Sequence, residues 1–112
     1  MYKKILIIED DLFSASIYKE HLDKNGFISQ VASDGRIALD MVDTFRPSLI
    51  ILDLILPKID GFTLLHFFKE IPVIVISNLE HEKVEGVKFF ISKSKLDYSK
   101  LINQINNILF HR

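Results

Sequence analysis

With 112 residues, 26% of them charged and a formal net charge of −1, the chain has the size of one domain with its own core and lacks the bulk positive field that nucleic-acid binding favours. It has no cysteine, which excludes disulfides and thiolate metal sites, and no uninterrupted apolar stretch is long enough to span a bilayer. The apolar run after Lys3 and Lys4 stops at Glu9, too soon for a signal-peptide core, so a cytoplasmic domain without membrane contact is expected.

In chain order, residues 4–8 are apolar and β-branched, a buried strand that ends in Glu9, Asp10 and Asp11. Three adjacent acids repel one another, which places them in a loop or at a helix start. Phe13, Ile17 and Leu22 recur at helical spacing, with Asn25 and Gly26 as the stop. Residues 27–32 read as a second strand. Ser33 and Asp34 can cap a second helix whose inner face is Ala38, Met41, Val42 and Phe45, broken by Arg46 and Pro47.

Residues 49–54 form the third strand inside the stretch LIILDLILPKIDG, where one carboxylate, Asp53, interrupts an apolar run. An acid there is costly unless it meets water, a metal or a partner charge. A short helix over 62–70 follows, with Asp60 near its start. Residues 71–77 are a fourth strand, and the polar stretch 78–86 has room for about two helical turns. Residues 87–92 are the fifth strand. Asp97 or Ser99 opens a last helix with Leu101, Ile102, Ile105, Ile108 and Leu109 inward, a core stripe first and a homodimer face second. Strands alternating with helices predict a parallel sheet covered on both faces.

In such a sheet all strand ends of one polarity share an edge. The first strand ends in Glu9 and Asp10, the third in Asp53, the fourth in Ser77, and the fifth at Lys93. Three acids, a hydroxyl and an ammonium therefore converge on one shallow cleft. The donor set is oxygen-only, which suits Mg²⁺. A carboxylate beside such a cation and an ammonium can act as a nucleophile toward phosphorus.

The series ILIIEDD, LIILDLILPKIDG, PVIVIS and FFISK resembles the receiver domain of two-component response regulators, over essentially the whole chain. The resemblance implies an α/β flavodoxin-like fold, a doubly wound five-stranded parallel sheet of order 2-1-3-4-5, with residues 1–112 as one receiver domain. It implies Glu9 and Asp10 as the acidic pair at a Mg²⁺ site, Asp53 as phosphoacceptor and metal ligand, and Ile55 as a metal ligand through its backbone carbonyl. Ser77 matches the phosphoryl-sensing hydroxyl, Lys93 the family lysine, and Phe90 the switch aromatic. A sensor histidine kinase or phosphotransfer protein is then the phosphoryl donor. Phosphorylation adds roughly two negative charges. Ser77 and Phe90 respond, and a face for an output partner is remodelled. Such a domain catalyses only its own phosphorylation and dephosphorylation and is not a turnover enzyme.

The chain departs from the family pattern at four places. Ser94 follows Lys93 where a proline after a cis bond is usual, so the loop is expected to be trans and Lys95 is an alternative ammonium. The third and fourth helices are shortened. Phe89 and Phe90 suggest a shared exposed apolar patch for a partner. Ile55 cannot orient a hydrolytic water through its side chain, which predicts a long-lived phosphoryl group.

Each residue also has a plainer reading. Asp53 can cap the next turn, the acids of 9–11 can start a helix, Ser77 and Lys93 can be ordinary strand-end groups, and Phe90 can be packing. His21, His66, His81 and His111 show no ligand spacing. The competing function is a phosphorylation-independent pseudo-receiver that acts as a protein-interaction module. An aspartate-dependent phosphatase would want a second acid where Ile55 stands. A flavin carrier would want a phosphate-cradling loop where the acids stand.

Overall fold

Long apolar runs with no polar alternation fit strands covered on both faces, and that is what these residues form. The computed structural model describes residues 3–78, 87 and 89–110. Its elements are β1 (Lys4–Ile8), α1 (Leu12–Lys24), β2 (Ile28–Ala32), α2 (Gly35–Phe45), β3 (Leu49–Leu52), α3 (Gly61–Phe67), β4 (Val73–Ser77), β5 (Phe89–Ser92), a 3₁₀ turn (Lys93–Lys95) and α4 (Tyr98–Phe110). The five strands form one sheet of order β2-β1-β3-β4-β5, every pair parallel. Both the order and the parallel pairing are those expected from the sequence.

Alternate residues of each strand serve two cores. Ile5, Ile7, Leu49, Ile51, Ile74 and Ile76 pack with Ala15, Tyr18 and Leu22 of α1 and Leu101, Ile102 and Ile105 of α4. Leu6, Ile8, Ile50, Leu52, Val73 and Val75 pack with Ala38 and Phe45 of α2 and Leu64 of α3. Each of the buried leucine, isoleucine, valine and phenylalanine side chains contributes roughly 1.5–3 kcal/mol of transfer free energy. The α4 stripe is core, with Ile108 and Leu109 packed against it.

Helix starts here follow from aspartates. Asp34 Oδ1 accepts the Ile37 backbone N–H at 2.9 Å, and Asp60 Oδ1 accepts that of Thr63 at 3.0 Å. Asp97 does the same for α4, accepting from the Lys100 N–H at 3.2 Å. The α1 face differs from expectation. Its buried residues are Ala15, Tyr18 and Leu22, while Phe13 is 73% exposed. The inward stripe runs through a small residue and a tyrosine, which a search for large aliphatic and phenyl side chains passes over.

Several boundaries also move. β2 starts at Ile28, one residue after the buried Phe27. β3 stops at Leu52, so Asp53 lies just past the ladder. α3 is only 7 residues long, and β4 opens after Pro72, which has no N–H to give. Residues 79–86, where a shortened fourth helix was expected, and His81 and His111 lie outside the described residues.

Two glycines fix how the loop after β3 is seated. A Cβ on Gly61 would stand 2.5 Å from Leu54 Cα and 2.9 Å from the Asp53 carbonyl oxygen. A Cβ on Gly35 would stand 2.5 Å from the Ile59 carbonyl oxygen. Gly61→Ala is therefore expected to push the backbone at Asp53 and to destabilise the fold by about 1–3 kcal/mol, the usual range for overpacking. Urea or thermal unfolding checks this; wild-type stability in Gly61→Ala would contradict the close approach.

Candidate functional site

The parallel register brings four strand ends to one rim. Ile8 pairs with Leu52, Leu52 with Val75, and Ser77 with Ser92. Glu9 and Asp53 thus occupy equivalent positions one residue beyond β1 and β3. Their backbones extend the ladder: the Glu9 N–H donates to the Ala32 carbonyl and the Asp53 N–H to the Ile8 carbonyl, both at 3.0 Å. Ser77 closes β4, and Lys93 follows β5 directly.

The side chains meet. Lys93 Nζ lies 2.8 Å from Asp53 Oδ2 and 2.7 Å from Glu9 Oε1. Ser77 Oγ donates to Asp53 Oδ1 at 2.9 Å, and the Ile55 backbone N–H donates to the same oxygen at 3.0 Å. Glu9 Oε2 accepts the Asp11 backbone N–H at 3.1 Å. Glu9 is 1% exposed and Asp53 5%, so both carboxylates depend on these partners rather than on water. Asp10 is exposed at the rim, and the Ile55 side chain is exposed. One carboxylate oxygen from each of Glu9, Asp10 and Asp53 lies within 4.8 Å of the others.

The electrostatics follow from burial. Burial pushes the Glu9 carboxyl above its usual range, and repulsion from Asp53 adds to that, against Lys93 and the Asp11 N–H. For Lys93, burial opposes the charge, but the hydrogen bonds to Asp53 and Glu9 outweigh it and hold the ammonium above its usual range. Asp11 stands apart. It caps α1, accepting from the Phe13 N–H at 3.3 Å and the Ser14 hydroxyl at 2.6 Å, and the Ser14 hydroxyl holds its carboxyl low.

Glu9, Asp53, Ser77 and Lys93 are thus linked through Asp53 and Lys93, with Asp10 in the same carboxylate cluster. The ammonium comes from Lys93; Lys95 is exposed and makes no contact with the cluster among the described residues. No peptide bond among the described residues is cis, as expected with serine at position 94. Phe90 packs against the second core, beneath α2 and α3, whereas Phe89 is 37% exposed. Successive strand residues point to opposite faces, so the two rings do not form the shared patch expected from the sequence. Sequence reading missed the backbone donors at Asp11 and Ile55, because an N–H carries no residue signature.

The model for the response regulator receiver domain family matches residues 5–105. The chain belongs to that family. It is 32% identical over 94 residues to the alkaline phosphatase synthesis transcriptional regulatory protein PhoP of Bacillus subtilis, covering 79% of this chain and 39% of PhoP. It is 35% identical over 111 residues to a protein-glutamate methylesterase/protein-glutamine glutaminase of Methanospirillum hungatei, covering 94% of this chain and 32% of that protein. The receiver domain therefore spans only about a third to two fifths of these curated relatives. Among solved structures, the receiver domain of a Francisella response regulator superposes with a TM-score of 0.86 at 29% identity, covering 95% of each chain. A two-component response regulator from Clostridium difficile reaches 0.90 at 23% identity, over 97% of each chain, which speaks for the fold alone. No helix among the described residues is long and apolar enough to cross a membrane.

Replacing Lys93 by methionine leaves two buried carboxylates facing each other without a cation. The expected loss is at or below the roughly 3–5 kcal/mol of a broken buried pair, since the lysine is partly exposed. The pH dependence has a definite sign. A lysine whose folded value lies above its ordinary 10.5 stabilises the fold fully below that pH. The contribution fades as pH rises through the folded value. Urea unfolding from neutral to alkaline pH should show a smaller loss in Lys93→Met than in wild type, the remainder coming from the Tyr18 and Tyr98 phenols, which burial also holds above their usual range.

Proposed function

We propose that this receiver domain is a phosphoacceptor, taking a phosphoryl group on Asp53 from the phosphohistidine of a sensor kinase or phosphotransfer protein. We take residues 1–112 as one cytoplasmic domain of this kind. The observation that carries the reading is the buried Asp53 carboxylate in direct contact with Lys93 and Ser77, beside Glu9. A carboxylate that only capped a turn would not need a partly buried ammonium from the turn after β5 and a buried hydroxyl from β4.

Glu9, Asp10 and Asp53 fit a hard divalent cation such as Mg²⁺. All their donors are oxygens, and one carboxylate oxygen from each lies within 4.8 Å of the others. With the backbone carbonyl of Ile55, these residues would hold the ion, which when bound supplies charge neutralisation for phosphoryl oxygens. The protein's own part is positioning. An Asp53 oxygen attacks phosphorus as the bond from phosphorus to the donor imidazole nitrogen breaks, and that nitrogen keeps the electron pair. Lys93 offsets charge on the transferring oxygens, and Ser77 exchanges its bond to Asp53 for one to the phosphoryl group. Phe90, half-buried on the same side of the sheet as α2 and α3, would follow the hydroxyl and remodel the surface for an output partner.

The domain acts once per phosphoryl group and on itself, so turnover of an external substrate is not proposed. Incubation with acetyl phosphate and Mg²⁺ should add one phosphoryl mass, lost on chelation before the reaction and in Asp53→Asn, with beryllofluoride trapped at the same site. A species that survives Asp53→Asn, or none at all, would favour the phosphorylation-independent interaction module. The exposed Ile55 side chain offers no hydrogen bond to an attacking water. Ile55→Asn should therefore shorten the lifetime of the phosphorylated form in a chase after donor removal.

A further inference from the structure

Lys93 sits on a turn that does not hold itself in place. Lys93–Lys95 is a single 3₁₀ turn with no buried residue. It is closed by the Leu96 N–H donating to the Lys93 carbonyl at 3.3 Å and by a contact between the Ser92 and Ser94 hydroxyls at 3.0 Å. Yet its ammonium is fixed between two buried carboxylates. A lysine has up to about 2 kcal/mol of side-chain entropy to lose, so its backbone must be set from the ends of the turn.

Upstream, the pairing of Ser77 with Ser92 sets one end. Downstream, Leu96 packs against the first core, and Tyr98 opens α4. The Tyr98 ring lies flat on His21, with centroids 3.9 Å apart and planes 9° apart. It also meets Tyr18 at 6.2 Å and 54°. Tyr18 and His21 are three residues apart on α1 and so share a face. Tyr18 is 3% exposed, within the first core. α1 begins directly after Glu9, Asp10 and Asp11. The three rings therefore tie the segment that carries the acids to the segment that carries the lysine.

We propose that Tyr98, clamped by His21 and Tyr18, is a positioning residue that sets where the Lys93 ammonium stands between Glu9 and Asp53. The inference rests on the reading of Lys93 as part of a phosphoacceptor site. A groove of about 350 Å³ bounded by Asn25, Ser99, Ile102 and Asn103 borders both Tyr98 and His21. That side is open, so no packed neighbour stands ready to replace a truncated ring.

The test compares Tyr98→Ala, Tyr98→Phe and Ile105→Val, the last a core change on the same helix about two turns away. The first readout is the ¹⁵N ammonium resonance of Lys93, assigned by its loss in Lys93→Arg. It should be unchanged in Tyr98→Phe and Ile105→Val, and shifted or broadened by exchange in Tyr98→Ala. The second is the rate of acetyl phosphate transfer, expected to fall about 10- to 100-fold in Tyr98→Ala, as for a misplaced catalytic group. Mg²⁺ affinity should change by less than about twofold, since no acid is touched. Should Tyr98→Ala fail to fold, His21→Ala removes one ring of the clamp and is read the same way. An unmoved Lys93 resonance in the truncated variant, or an equal shift in Ile105→Val, overturns the proposal. Absence of phosphorylation in wild type would count against the phosphoacceptor reading alone, because the ammonium resonance still decides the positioning.

Discussion

Two nearly buried carboxylates share one ammonium, and the rest of the molecule is arranged so that they can. Glu9 and Asp53 sit on adjacent strands, one residue past the ladder, where the sheet's inner faces give way to solvent. Lys93 comes from the far edge. With neighbouring strands about 4.8 Å apart, the end of β5 lies roughly 10 Å from β3 and further from β1. Only a long side chain leaning back over β4 can close that distance. Ser77, at the end of the intervening strand, fills the gap beneath it.

This arrangement explains why the sheet must be covered on both sides. An open face would hydrate the strand ends and leave the ion pairs as weak as surface ones. The two cores also divide the labour. The first, with α1 and α4, backs the acids and the lysine turn through Tyr18, Leu96 and Tyr98. The second, with α2 and α3, backs the loop after Asp53 and contains Phe90. Static charge placement and the proposed response to phosphorylation thus draw on different layers of the same domain.

Much of this was legible in the sequence because it depends on simple periodicities. Unbroken apolar runs announced the strands, and strand–helix alternation announced the parallel order. The gathering of Glu9, Asp10, Asp53, Ser77 and Lys93 follows from that order alone, since one rim must receive them all. What was not legible depends on partners distant in the chain. Nothing local to Phe13 says that it faces solvent while Tyr18, five residues on, is core. Nothing local to Lys93 shows that Tyr98 and His21 stack across two helices. The adjacent rings of Phe89 and Phe90 looked like one surface until strand pleating separated them. The missing proline after Lys93 made Lys95 an alternative ammonium, because sequence lists what a turn contains and not what grips its ends.

α3 is only 7 residues long, yet it keeps the features that seat the loop after Asp53: the Asp60 cap, the buried Leu64 and the hydrogen bond from the Gly61 N–H to the Leu54 carbonyl at 3.1 Å.

The contact between Gly35 and Ile59 reaches beyond packing. The first residue of α2 abuts the carbonyl of a residue six positions after Asp53, with no room for a methyl group between them. The loop that follows Asp53 is thus braced from a helix that contributes no side chain to the carboxylate cluster among the described residues. A lineage that exchanged Gly35 for a larger residue would have to reshape the loop on the far side of the sheet rim. Sequence drift at that remote position is therefore tethered to a carboxylate cluster it never touches.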